Sequence, residues 1–183
     1  MTSTFDLYYK SFRDRHSNSI NQLATIVLSP IAVFGLMGLL NFLKAIPPFS
    51  YIPLFYPDIL LIGAAAKSYI TAEPVSGVAT TVWFILADIL AKLQWWTNGG
   101  HSSVYLFIYF LLYVAIAGGL QVAAHIYLEK KPLDAKYLSP QLLFDPLCST
   151  FEALGFLGYN KASFNKVHQT FLERLNLWGK KAK

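Results

Sequence analysis

Long apolar runs separated by short polar breaks occupy most of residues 22–124 of this 183-residue chain. The runs 22–43 and 104–124 carry no charge, and each reaches the roughly 20 residues that a helix needs to cross a bilayer. A third run, 75–93, has a similar length and holds Asp88 near one end. The pattern therefore predicts three transmembrane helices in these segments.

A fourth apolar segment, 59–70, is shorter and is interrupted by Lys67. We expect either a tilted pass that extends back towards residue 51 or a re-entrant segment. Proline, glycine and asparagine mark the breaks between the runs, as turns require. These breaks are Pro47-Pro48, Pro53, Glu73-Pro74 and Asn98-Gly99-Gly100.

The last third of the chain has a different pattern. Segment 138–157 is apolar but contains Pro140, Asp145, Pro146 and Glu152, so we expect an interfacial or re-entrant segment rather than a full pass. Segment 165–177 places apolar residues at helical spacing and charges elsewhere, which predicts an amphipathic helix lying on the membrane.

The pattern as a whole predicts an all-α polytopic membrane protein with about four transmembrane helices. A re-entrant or interfacial segment and a C-terminal amphipathic helix complete it. We expect one integral membrane domain over 1–183: a cytosolic N-terminal segment at 1–21, membrane passes at 22–124, and a cytosolic or interfacial segment at 125–183.

The composition agrees with a membrane protein, because apolar residues make up 55% of the chain and charged residues only 14%, against about 25% charged in soluble domains. The net charge of +5 comes from Lys and Arg that flank the apolar runs, mainly in 10–15, 130–136 and 161–183. Such residues favour contact with anionic lipid headgroups. Basic and aromatic residues do not alternate as in RNA-binding modules, so we expect no nucleic-acid partner.

Basic flanks favour the cytosolic side, and both ends of this chain are basic. An even number of passes, such as four, puts both termini in the cytosol, whereas three would not. The tail Lys180-Lys181-Ala182-Lys183 looks like the dilysine retrieval signal of endoplasmic-reticulum membrane proteins, which is read from the cytosol. The expected location is therefore the endoplasmic-reticulum membrane.

Histidines are the candidate metal ligands. His125 closes the last apolar run, and Glu129 lies four residues later, on the same face of a helix. An imidazole and a carboxylate there can bind a divalent metal, or they can be a helix-end histidine and a solvated glutamate. His16, just before the first pass, can converge with His125 if the passes number four. His101 should lie at the opposite membrane face, since a straight helix would separate it from His125 by roughly 36 Å.

Three other features have simpler interpretations. Asp88 either marks a polar path or snorkels near a helix end, and we favour snorkelling. Cys148, the single cysteine, excludes an internal disulfide and is expected to be a buried thiol. Small residues offer surfaces for close helix contact. They are Gly35, Gly38, Gly118, Gly119, Ala123 and Ala124.

Two motifs resemble those of a known family. The first is Tyr9, then His16-x-Asn18-x-x-Asn21, leading into an apolar run with Pro30. The second is Gln121-x-x-Ala-His125-x-x-x-Glu129-Lys-Lys-Pro132, followed by Asp145-Pro146 and Phe151-Glu152. Together they resemble the family of small endoplasmic-reticulum proteins typified by the fungal 2-hydroxy fatty acid dioxygenase.

That resemblance implies an enzyme which uses Fe(II) and oxygen to shorten a 2-hydroxy fatty acid by one carbon, a step of α-oxidation in phytosphingosine breakdown. It implies that His16 and His125 ligate the Fe(II), with Glu129 as a third ligand or an orienting residue. The substrate would be a membrane lipid or fatty acid. Lys130 and Lys131 either bind its carboxylate or act only as topology signals, and we favour the second interpretation. The family's second histidine falls on Thr25 in this chain.

Three hypotheses follow. The first is an iron-dependent lipid dioxygenase; the second is a non-catalytic lipid- or partner-binding membrane protein that has lost the metal. The third, a small transporter subunit, ranks last because charges within the apolar runs are sparse. The oligomeric state and the chain length of a substrate stay open.

Overall fold

A computed structural model describes residues 4–44, 46, 49–52, 56–98, 104–130 and 138–159. The regular elements in these ranges are all helical, which confirms the predicted all-α class. They are α1 (Thr4–Arg15), α2 (Ser19–Leu43), α3 (Pro57–Ala72), α4 (Pro74–Thr97), α5 (Val104–Ala124) and α6 (Leu138–Phe156), with a short 3-10 turn at Phe49–Tyr51. A π-helical turn, His125–Glu129, continues α5 and is called the π-turn below.

Three helices in the described ranges are long and apolar enough to cross a membrane: Ser19–Leu43, Pro74–Thr97 and Val104–Glu129. They contain the three runs that predicted them. Helix α3 has 16 residues, about 24 Å at 1.5 Å per residue, and falls short of a bilayer core about 30 Å thick. Helix length alone therefore establishes three crossing helices and not four.

The outer faces of α2, α4 and α5 are apolar, while many polar side chains lie inside the bundle. This distribution reverses that of a water-soluble protein and is the one expected of a multi-pass membrane protein. Exposed apolar residues include Leu23, Val27, Val82, Leu86, Ile89, Leu93, Ile108, Leu112 and Ile116. Buried polar residues include Asn21, Gln22, Thr25, Ser29, Asn41, Ser76 and Thr80.

The predicted break at Glu73-Pro74 is confirmed and joins α3 to α4 in a tight helical hairpin. Pro74 occupies the first turn of α4, where its missing N–H costs no hydrogen bond. The Glu73 carboxylate caps this helix by accepting a hydrogen bond from the Ser76 backbone N–H at 2.6 Å. Gly77 packs directly on the backbone of Tyr69, which fixes the two helices side by side.

Helix α2 packs closely against α5 at two of the glycines expected to make such contacts. A methyl group added at Gly35 would lie 2.9 Å from the Phe110 carbonyl oxygen, and one added at Gly38 would overlap the Phe110 ring. The expectation is wrong for Gly118 and Gly119, because a Cβ there would meet nothing within 4 Å among the described residues. Of the four glycines named in the sequence analysis, only Gly35 and Gly38 bring helices together among the described residues.

Helices α2, α3 and α4 are joined by a charge cluster of Asn41, Asp58, Asp88 and Lys92, in which the amide and both carboxylates are buried and Lys92 is partly exposed. The Lys92 Nζ lies 2.6 Å from a carboxylate oxygen of Asp58 and 2.6 Å from one of Asp88. The Asn41 amide donates to the other Asp88 oxygen at 3.0 Å. Asp88 is only 6% exposed, so the interpretation that it snorkels is wrong: its charge is balanced inside the bundle by a lysine one turn further along α4.

Helices α1 and α6 pack together at the other end of the bundle. The Tyr8 and Phe144 rings stack with centroids 4.2 Å apart, and the Arg15 guanidinium makes two hydrogen bonds to Asp145, the shorter at 2.7 Å. The sequence analysis did not foresee α1 as a helix. Helix α6 covers most of segment 138–157 and is not among the helices that qualify as spans.

The chain divides into two compact units, Met1–Thr150 and Phe151–Lys183. In the second unit, α6 ends at a left-handed Gly158 with φ 97°, and the Tyr159 N–H donates to the Leu154 carbonyl at 2.9 Å. The predicted amphipathic helix at 165–177 and the basic tail lie outside the described residues.

The close contact at Gly38 generates a prediction with an internal control. Gly38→Ala should destabilise the protein by about 1–3 kcal/mol, because the added methyl group overlaps the Phe110 ring in a packed interior. Gly118→Ala should be neutral or slightly stabilising, since its methyl group meets nothing. Thermal unfolding in detergent measures both. Equal midpoints for the two variants would contradict the packing described here.

Candidate functional site

The structure brings His16 and His125 together, although they lie far apart in the sequence. Their ring centroids are 6.4 Å apart, with the ring planes inclined at 58°. His16 lies in the short link between α1 and α2, and His125 is the first residue of the π-turn. Single π-turns within α-helices are frequent at functional sites. The two histidines that the sequence hypothesis assigns to one site are therefore neighbours in the structure.

Thr25 lies level with His125 because α2 and α5 run antiparallel. One turn nearer the bundle centre, the Gln121 amide donates to the Ser29 hydroxyl at 3.3 Å. One turn further out, the Asn21 amide donates to Glu129 at 3.0 Å. Position 25 falls midway between these pairs, opposite position 125. The Thr25 hydroxyl itself donates to the Asn21 backbone carbonyl at 3.0 Å.

His16 has the tautomer and charge state of a metal ligand. Its Nδ1 lies 2.9 Å from the Phe12 carbonyl oxygen. That oxygen can only accept, so Nδ1 carries the hydrogen and Nε2 keeps a free lone pair. His16 is 8% exposed, and this burial lowers the pKa of its imidazole below the ordinary value, against the opposing effect of the Phe12 hydrogen bond. The neutral form therefore dominates at pH 7.

Glu129 lies beside the start of α2 and accepts hydrogen bonds there. One carboxylate oxygen accepts from the Asn18 backbone N–H at 2.7 Å and from the Asn21 amide at 3.0 Å, and the other accepts from the Ser17 hydroxyl. Among the described residues, no three His, Cys, Asp or Glu side chains lie close enough together to hold a metal ion.

The fit of these residues to Fe(II) is therefore partial. Two imidazoles, one of them with a fixed tautomer, suit a divalent first-row metal and leave other coordination positions open. The carboxylate of Glu129 is engaged with α2 rather than grouped with the histidines. The full ligand set His16, His125 and Glu129 stays a prediction.

The two lysines proposed for substrate binding follow the π-turn. Lys130 is exposed and has a left-handed backbone with φ 52°, a conformation that ends the helical segment. Lys131, like His101 and His168, lies outside the described residues.

Several residues of the site were missed by the sequence analysis. Helix α2 carries buried polar residues at helical spacing, Gln22, Thr25 and Ser29, of which only Thr25 was named from the sequence; Ser29 accepts from Gln121 of α5. The signal was present: polar residues spaced by three and four in an apolar run share one face. The Arg15–Asp145 ion pair leaves no such signal, because its partners are 130 residues apart.

No family model, curated protein or solved structure matches this chain. The resemblance to the 2-hydroxy fatty acid dioxygenase family therefore rests on the two motifs quoted above.

The buried, neutral His16 predicts a pH dependence of stability in protein stripped of metal. Its pKa is lower in the folded state than the unfolded value of 6.5, so the unfolded state binds more protons at mildly acid pH. The contribution of His16 to the free energy of unfolding should have its full value above about pH 6.5 and should decrease as the pH falls below it. Thermal midpoints between pH 5 and 8 measure this, and His16→Asn should flatten the acid side while His101→Asn leaves it unchanged.

Proposed function

We propose that this protein is an Fe(II)-dependent dioxygenase of 2-hydroxy fatty acids, held in the endoplasmic-reticulum membrane. The observation that carries the proposal is the His16–His125 pair, which meets at one end of an apolar helical bundle. The imidazole of His16 is oriented by the Phe12 carbonyl, as metal-binding histidines are by their outer partners. The resemblance of the two motifs supplies the substrate class.

The chemistry requires a site that a lipid can reach. A metal held there would supply open positions for oxygen and for the hydroxy acid. The overall reaction consumes O₂, breaks the bond between the first two carbons of the acid and releases CO₂ and water with the shortened acid. His16 and His125 hold the metal, and the apolar outer faces of α2 and α5 lie beside the lipid tails. Lys130 is placed to attract a carboxylate at the surface.

The same pair of histidines supports a four-pass topology. His16 precedes the first crossing helix and His125 lies in the last turns of the final one, yet their ring centroids are only 6.4 Å apart. The chain must then cross the membrane an even number of times between them. Three helices cross by length and composition, so we assign the fourth crossing to α3, which the charge cluster anchors at one end and the Glu73 turn joins to α4 at the other.

Both termini are then on the same side, and their basic residues place that side in the cytosol. The tail Lys180-Lys181-Ala182-Lys183 can act as a retrieval signal only when it lies in the cytosol. Location in the endoplasmic reticulum follows from that resemblance.

Labelling tests the topology. Single cysteines at Asp14, Lys130 and Asn98, in a Cys148→Ser background, are treated with a membrane-impermeant maleimide in sealed microsomes. Asp14 and Lys130 variants should react directly, and the Asn98 variant only after permeabilisation, because Asn98 ends α4 at the opposite side. Labelling of positions 14 and 130 from opposite sides would eliminate the even number of crossings and the iron site with it.

Metal retention tests the enzyme. Protein purified anaerobically in detergent should retain iron, with about one atom per chain expected from one histidine pair. His16→Ala and His125→Ala should each lower retention by about tenfold or more. Thr25→His should raise it, because the new imidazole lies level with His125. His101→Ala is the matched control, since position 101 precedes α5 whereas His125 follows it.

Turnover is measured in the same preparations as oxygen-dependent conversion of 2-hydroxypalmitate to the acid one carbon shorter. Iron content unaffected by His16→Ala and His125→Ala, together with no turnover, would rule out the dioxygenase.

A second candidate is a non-catalytic membrane protein that binds lipid or a partner. One observation favours it: the position level with His125 holds Thr25, whose hydroxyl donates within its own helix, and Glu129 is engaged with α2. Such a protein would keep the scaffold without iron. The iron measurement above distinguishes it from the enzyme.

A further inference from the structure

The residues around Glu129 connect the two sequence motifs. The first motif supplies His16, Asn18 and Asn21, and the second supplies His125 and Glu129. In the structure the histidines of the two motifs face one another, and the remaining residues are joined by hydrogen bonds to the Glu129 carboxylate. Residues of both motifs therefore meet at one contact, between the start of α2 and the π-turn.

We infer that Glu129 is a positioning residue that holds the His16 segment against the π-turn and thereby sets the distance between the two imidazoles, and that it is not itself a metal ligand. This inference rests on the proposed metal site. It assigns to Glu129 one of the two roles that the motif left open.

Both carboxylate oxygens of Glu129 accept hydrogen bonds from the start of α2. Oε1 accepts from the Asn18 N–H at 2.7 Å and the Asn21 amide at 3.0 Å, and Oε2 accepts from the Ser17 hydroxyl. Bonds to an ionised carboxylate are about twice as strong as neutral ones. A metal bound to Oε1 would compete with the Asn18 and Asn21 bonds, which together use both lone pairs of that oxygen.

The negative charge of Glu129 also suits the start of α2. Asn18 caps α2 by accepting from the Ile20 N–H at 2.9 Å, so Glu129 lies at the positive end of the α2 dipole. A carboxylate is stable there without a metal. The same site would lose this match if the carboxylate turned towards a cation.

The bonds of Glu129 hold the chain next to both histidines. Ser17 and Asn18 directly follow His16 in the chain, and Glu129 closes the π-turn that His125 opens. One side chain therefore fixes the backbone next to both candidate ligands. Loss of these bonds would let the two imidazoles separate while leaving both in the chain.

The experiment uses the full-length protein in detergent with Cu(II) as the probe, because Cu(II) binds nitrogen sites strongly and its electron paramagnetic resonance spectrum reports the donor atoms. Glu129→Gln should weaken Cu(II) binding by about 10- to 100-fold, the range for groups that orient a ligand. The spectrum of the loaded variant should keep the wild-type nitrogen donors and lose no oxygen donor. A changed donor set would make Glu129 a ligand and overturn the inference.

A rescue variant and a matched control distinguish positioning by Glu129 from a general loss of stability. In Asn21→Asp combined with Glu129→Gln, the donor and acceptor of the 21–129 bond are exchanged at unchanged net charge, so the double variant should recover most of the lost affinity. Glu73→Gln removes another carboxylate that caps a helix, through Ser76, and should leave Cu(II) affinity unchanged. An equal loss of affinity in Glu73→Gln would show a general effect of destabilisation and overturn the inference.

Metal-free protein separates this inference from the proposed function. There a double-mutant cycle of Ser17→Ala with Glu129→Gln, read by thermal unfolding, should show coupling between the two positions. If wild-type protein binds no Cu(II), the metal site fails and with it the role of Glu129 in that site, whereas a coupled cycle still establishes the contact. Additive effects in the cycle would show that Glu129 does not hold the His16 segment, even if Cu(II) binds.

Discussion

Helices α2 and α5 approach so closely at Gly35 and Gly38 that an added methyl group would overlap the facing helix. This contact sets the antiparallel register of the two helices. The register places Ser29 against Gln121 and Asn21 against Glu129, and so puts Thr25 opposite His125. In a membrane, where lipid offers no hydrophobic gain for helix association, such close van der Waals packing is a main source of stability. The geometry of the candidate site follows from it.

The two ends of the bundle use polar residues differently. At the histidine end, hydrogen bonds and the Arg15–Asp145 ion pair bind α1, α6 and the π-turn around His16. At the other end, Lys92 lies between the carboxylates of Asp58 and Asp88 and joins three helices. Removing Lys92 would leave two buried carboxylates without a counter-charge, which destabilises the bundle. The cluster therefore holds α3 in place at the end of the bundle opposite the histidine pair.

The proposed dioxygenase and its non-catalytic alternative differ at very few positions. Both need the same bundle, the same register and the same contact between the two motifs. They are distinguished by whether two imidazoles suffice to hold iron when position 25 provides a hydroxyl in place of a third. The buried polar stripe on α2 is present in either case, so its existence does not favour one function over the other.

The sequence by itself determined the all-α class, the three crossing helices and the break at Glu73-Pro74, because apolar length and proline chemistry are local properties. It allowed His16 to meet His125 but did not require it. It did not determine helix α1, the burial of Asp88 or the partners of Glu129. Those depend on which residues meet across helices, and a snorkelling aspartate and a paired one look alike in a sequence. The tertiary structure decided them, since partners such as Asp58 for Lys92 and Asn21 for Glu129 are brought together only when the helices pack in register.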